Sequence, residues 1–133
     1  MDNTSAAAPG LAGLAGLRVL VAEDEPLIAM LIVDALDELG CVALGAFATL
    51  AAAVAAARES EFDVALIDFN FQGEKAFALA EVLRERGLPF AIVSGAPSEV
   101  EGNGEFAVVA KPFKTVDIGA TLAAMAQHAG GSR

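Results

Sequence analysis

The sequence predicts an α/β fold built on five parallel strands, with helices covering both faces of the sheet. Two observations predict it. Five short apolar runs alternate with segments whose apolar residues recur at helical spacing, the pattern of a parallel sheet with crossover helices. Four of those runs end in polar residues: Glu23-Asp24 after Leu17–Ala22, Asp68 after Val64–Ile67, Ser94 after Phe90–Val93, and Lys111 after Ala107–Ala110. In one parallel sheet all of these emerge at the carboxyl edge, where open α/β sheets hold their sites.

Residues 1–16 are small, nearly uncharged and rich in Ala and Gly, and read as a flexible N-terminal tail, of which 11–16 can pack loosely. The folded domain is expected over 17–128, with a flexible end at 129–133. The first strand takes about 17–22. Pro26 opens the next helix, because a first helical position has no intrahelical partner for the missing N–H. Ile28, Ile32, Ala35, Leu36 and Leu39 then recur at helical spacing until Gly40 stops the helix. Cys41–Gly45 makes a short second strand, and Thr49 caps an Ala-rich helix running to about Arg58. Asp63 begins the central strand, which ends at Asp68 and turns through Phe69–Gly73. Phe77, Ala80, Val82 and Leu83 mark a third helix ended by Gly87, and Pro89–Ser94 is the fourth strand. Pro97, Gly102 and Gly104 leave room for only one or two helical turns between Ala96 and Glu105. Phe106–Ala110 is the fifth strand and 114–127 the closing helix.

Composition excludes several functions. A chain of 133 residues supports one domain with one core. The formal charge of −10 removes the basic face that phosphate-backbone recognition needs, so nucleic acid is not an expected partner. No run reaches the roughly 18 unbroken apolar residues of a spanning helix, and the start lacks the basic region of a secretory signal. A single cysteine, Cys41, allows no internal disulfide and reads as a small buried hydrophobe, so the expected location is the reducing cytoplasm. His128, the one histidine, sits in a Gly- and Ser-rich end and reads as solvent-exposed.

Three carboxylates converging on one crevice repel unless something positive sits among them. A hard cation such as Mg²⁺ relieves that repulsion through carboxylates, a backbone carbonyl, waters and phosphoryl oxygens. Glu23, Asp24 and Asp68 are the metal-ligating candidates, with the Asn70 backbone carbonyl as a further donor. Asp68, at the end of the most apolar central strand, is the candidate nucleophile, since a carboxylate attacking a phosphoryl group forms an aspartyl-phosphate. Catalysis of such a transfer is mostly positioning and charge neutralisation, and Ser94 and Lys111 are the candidates to receive phosphoryl oxygens. Pro112 restricts the backbone around Lys111. Plainer readings exist: Glu23 and Asp24 can serve the start of the helix electrostatically, and Lys111 can form a surface ion pair with Asp68.

The order Glu23-Asp24, Asp68, Ser94, Lys111-Pro112-Phe113 resembles the receiver domain of bacterial two-component response regulators, over about residues 17–127. The opening Glu25-Pro26-Leu27, the turn Asn70-Phe71-Gln72-Gly73-Glu74, and Leu88-Pro89-Phe90 with Ser94-Gly95 resemble a narrower group, the stand-alone receivers of alphaproteobacteria. The resemblance implies a flavodoxin-like (βα)5 fold with strand order 2-1-3-4-5 and, here, a shortened fourth helix. It implies that a histidine kinase or histidine phosphotransfer protein donates a phosphoryl group to Asp68 with Mg²⁺ as cofactor. The protein would catalyse its own phosphorylation and dephosphorylation without turning over a separate substrate. Phosphorylation would shift the surface of the fourth helix, fifth strand and fifth helix, offered to a downstream protein partner or a weak homodimer. Ser94, Val108, Pro112 and Phe113 fall at the switch and output positions. Val108 departs from the family there, standing where an aromatic ring is usual, and the chain has no tyrosine. The alternatives to a signalling phosphoacceptor are a phosphate sink for a kinase, a phosphorylation-independent interaction module, and a receiver excised from a hybrid kinase. A hydrolase is disfavoured because nothing supplies a separate substrate pocket.

Overall fold

In the computed structural model, which describes residues 13–71, 73–95 and 107–131, the five apolar runs form one parallel sheet. The strands are β1 (Arg18–Ala22), β2 (Val42–Phe47), β3 (Val64–Asp68), β4 (Phe90–Ser94) and β5 (Ala107–Ala110). Their order is β2-β1-β3-β4-β5, the flavodoxin-like arrangement, with every neighbouring pair parallel. Four helices are described: α1 (Pro26–Glu38), α2 (Leu50–Glu59), α3 (Phe77–Glu85) and α4 (Thr115–Gly131). The shortened helix expected over 96–105 lies outside the described residues.

Strand alternation divides the core in two. Leu20, Ala22, Ala65, Ile67, Phe90 and Ile92 face α2 and α3, packing on Ala53, Ala57, Leu79 and Leu83. Val19, Val21, Val64, Leu66, Ala91, Val93 and Val109 face α1 and α4, packing on Ile32, Leu36, Ile118 and Leu122. Because the side-chain period of a strand is two, each central strand is apolar on both faces. Every residue of β3 and β4 is buried, which holds their carboxyl ends firmly.

Local chemistry explains the helix ends. Pro26 stands in the first turn of α1, and Gly40 follows the helix at φ +81°, a left-handed conformation that glycine adopts without strain. The Thr49 hydroxyl accepts the Ala52 N–H at 3.1 Å and caps α2. Arg86 secures the other end of α2, donating to the carbonyls of Ala57 and Ser60 at 2.7 and 2.8 Å.

Several details differ from the sequence expectation. β2 runs to Phe47 and does not stop at Gly45. Leu20 pairs with Leu44 but Ala22 with Phe47, so β2 carries one extra residue, a bulge, and Gly45 sits in it at φ +102°. A Cβ there would lie 2.9 Å from the Val21 carbonyl oxygen. The glycine thus allows two backbones to approach and does not end the strand. Within 11–16, which the sequence allowed to pack loosely, Leu14 is only 2% exposed and its carbonyl faces the Cys41 thiol at 3.5 Å. Cys41 is buried, as read. The closing helix continues past 127 to Gly131. The turn after Asp68 contains a two-residue antiparallel ladder, Asn70–Phe71 against Glu74–Lys75. Among the described residues no helix is long and apolar enough to cross a membrane.

Candidate functional site

Strand register brings the polar ends together. Ala22 pairs with Ile67, so Glu23 and Asp68 leave the sheet side by side, and Ser94 pairs with Ala110, so Lys111 follows next to it. The extra residue of β2 reaches the site: the Phe47 carbonyl accepts the Glu23 N–H at 3.0 Å. The Ser94 carbonyl accepts the Lys111 N–H at 2.8 Å, and the Lys111–Pro112 peptide is cis.

One oxygen from each of Glu23, Asp24 and Asp68 lies within 4.8 Å of the others. Glu23 is 2% exposed, Asp68 7%, and Asp24 is half-buried. Lys111 bridges two of the acids, its Nζ standing 3.5 Å from Glu23 Oε1 and 3.7 Å from Asp68 Oδ1. This is more than the simple Lys111–Asp68 surface pair, since one cation here faces two carboxylates, one of them fully buried. Glu23 Oε2 accepts the Glu25 N–H at 3.2 Å, which ties it to the residue preceding α1. Its other oxygen, Oε1, is buried and receives no hydrogen bond; Lys111 is near enough to attract it but too far to satisfy it. Asp68 Oδ1 accepts the Asn70 N–H at 3.4 Å.

Burial and crowding perturb both inner acids. Burial is the main cause that pushes Glu23 up from 4.5 to about 7, with the Asp68 charge adding to it and the Glu25 N–H and Lys111 opposing. Burial likewise raises Asp68; Lys111 and the Asn70 N–H oppose, while Asp24 adds its contact and its charge. A group of this donor chemistry, all oxygen and rich in negative charge, with a buried oxygen lacking a donor, can coordinate a divalent metal ion.

Outside the acids opens a cleft of about 430 Å³ lined by Asp24, Asp68, Asn70, Ser94 and Lys111, all singled out from sequence. Glu25, Phe69, Lys75 and Gly95 line it too and were not anticipated. Gly73, at φ +92°, marks the turn that brings Lys75 round, but a two-residue ladder has no periodicity to read. The remaining predicted residues lie elsewhere. Val108 packs against the core on the α2–α3 side and Phe113 against the core on the α1–α4 side, while Pro112 is exposed. None of the three lines the cleft.

Comparison with known proteins agrees with this geometry. The sequence matches the response regulator receiver domain model over residues 19–123. The fold is similar to the response regulator PhyR from Brucella abortus, with a TM-score of 0.83 and 25% identity, covering 96% of this chain and 55% of that one. It is similar to SdrG from Sphingomonas melonis Fr1 (TM-score 0.73, 33% identity, covering 85% of this chain and 98% of that one). A third similar fold is the receiver domain of the sensor histidine kinase PA1611 from Pseudomonas aeruginosa PAO1, described with a magnesium ion coordinated in its active-site cleft. Its TM-score is 0.74 at 23% identity, covering 85% of this chain and 99% of that one. This chain therefore spans about half the length of the PhyR protein, and the likeness is not confined to stand-alone alphaproteobacterial receivers. A comparison with curated proteins gives no significant match. With the receiver model matched over most of its length and the acid cleft at the carboxyl edge of a β2-β1-β3-β4-β5 sheet, the chain belongs to the response regulator receiver domain family.

Proposed function

We propose that this receiver is a phosphoacceptor: Asp68 takes a phosphoryl group from the phosphohistidine of a histidine kinase or phosphotransfer protein and signals by protein contact. The observation that carries this reading is the cluster itself, three carboxylates within 4.8 Å with Lys111 between Asp68 and Glu23. An Asp68 oxygen attacks phosphorus as the bond to the histidine nitrogen breaks, and water attack on phosphorus later restores the carboxylate. Mg²⁺, bound by Glu23, Asp24, Asp68 and the Asn70 carbonyl, would supply neutralisation of the phosphoryl charge. Lys111 and the Ser94 hydroxyl donate to phosphoryl oxygens and draw the ends of β4 and β5 toward them. The magnesium in the similarly folded PA1611 receiver supports the choice of ion. The match over nearly all of SdrG supports the narrower likeness to receivers of that size.

Val108 favours a second reading, a phosphate sink. It supplies no ring to turn inward, so output depends on Ser94 and Lys111 alone. Amide-resolved NMR with Mg²⁺ and beryllofluoride, a phosphoryl mimic, separates the two. Signalling predicts shifts spreading from Ser94 into 107–118, and these are expected to be lost in Lys111→Ala. Shifts confined to the neighbourhood of Asp68 would favour the sink, and no binding at all would reject the phosphoacceptor.

A further inference from the structure

Among the residues lining the cleft is a cation that no step above uses. Lys75 lines the cleft from the short ladder after β3. Its backbone is anchored: Asn70 pairs with Lys75 and Phe71 with Glu74, the Phe69 carbonyl accepts the Ala76 N–H at 2.9 Å, and Phe71 and Ala76 are buried. Its side chain is exposed and folds back over the ring of Phe69, with Nζ 5.0 Å from the centroid. Phe69 is itself held edge-on by Phe77, at 5.7 Å and 87°. Among the described residues the Lys75 ammonium is in no ion pair.

Formal charge gives this lysine a task. With a divalent cation bound, that ion and Lys111 balance Glu23, Asp24 and Asp68, and Glu25, which also lines the cleft, leaves about one negative charge over. Phosphorylation replaces the single charge of the Asp68 carboxylate by roughly two on the phosphoryl group, which raises the uncompensated charge to about two. Lys75 is the remaining cation among the described residues lining the cleft. An exposed ammonium–ring contact is weaker than a charge-assisted hydrogen bond to a phosphoryl oxygen, and a flexible four-carbon stem can exchange one for the other.

We propose that Lys75 is a second phosphoryl-binding lysine: it rests on Phe69 in the unmodified protein and swings to a phosphoryl oxygen once Asp68 is phosphorylated. The inference rests on the proposed phosphoacceptor function. It gives the hairpin a response to phosphorylation that does not require an aromatic residue at Val108.

Calorimetric titration of the whole chain with beryllofluoride in saturating Mg²⁺ tests it. Lys75→Ala, and Lys75→Met, which keeps the apolar stem, are each expected to bind the mimic about tenfold more weakly than wild type. Lys75→Arg is expected to stay within about threefold, because it keeps the charge. Titration with Mg²⁺ alone should give affinities for Ala and Met equal to wild type or tighter, a result that simple damage to the hairpin would not produce. Beryllofluoride affinities of Ala and Met within about twofold of wild type, or an equal loss of Mg²⁺ affinity, would overturn the role of Lys75 while leaving the phosphoacceptor standing. A wild-type protein that binds Mg²⁺ but no beryllofluoride would overturn both.

Discussion

Asp24→Ala is expected to weaken Mg²⁺ binding by more than about tenfold and, without metal, to raise the melting temperature. The first effect follows from removing one of three clustered carboxylates from an ion that few protein ligands hold. The second follows from repulsion. Asp24 is one of the groups that push Asp68 upward, so the metal-free fold bears a like-charge cost that the variant lacks. A cost of order 1 kcal/mol corresponds to a rise of about 3–5 °C for a domain of this size. Melts of both proteins without metal, beside a Mg²⁺ titration, read the two effects separately. Wild-type Mg²⁺ affinity in the variant would remove Asp24 from the ligand set, and a lower metal-free melting temperature would contradict the repulsion.

Acidification of the metal-free protein from pH 8 to about pH 5 is expected to stabilise it by about 2–3 kcal/mol. The folded state holds Glu23 near 7 against 4.5 ordinarily, so between those values it binds more protons than the unfolded chain. Stability therefore falls as pH rises through this window, being fully gained below the unfolded value and lost above about 7. The upward shift of Asp68 adds in the same direction. Saturating Mg²⁺ keeps the carboxylates ionised and should flatten the slope. Urea denaturation at a series of pH values, with chelator and with Mg²⁺, measures it. A metal-free stability that rises with pH over this range would show that Lys111 outweighs burial.

The carboxyl-edge site was legible because each polar residue ends an apolar run, and parallel pairing then leaves little freedom over where Asp68, Ser94 and Lys111 emerge. The Thr49 cap and the Pro26 helix start are local chemistry, readable without the fold. What stayed hidden depends on depth or on very short elements. Glu23 and Asp24 look equivalent in sequence, yet one is buried with an oxygen lacking a hydrogen bond and the other is half-buried. Gly45 reads as a strand end because glycine weakens strands, whereas the close approach of Val21 makes it the residue of a bulge. Lys75 reads as an ordinary surface lysine, because only the two-residue ladder turns it toward the cleft.

The central claim, that Asp68 is a phosphoacceptor served by the acid cluster, is tested most directly by intact-mass measurement. Fresh protein would be incubated with Mg²⁺ and acetyl phosphate. Wild type is expected to gain one phosphoryl group, lost on standing and prevented by chelator, and Asp68→Asn none. Equal labelling of wild type and Asp68→Asn, or a wild type that gains nothing, would contradict it.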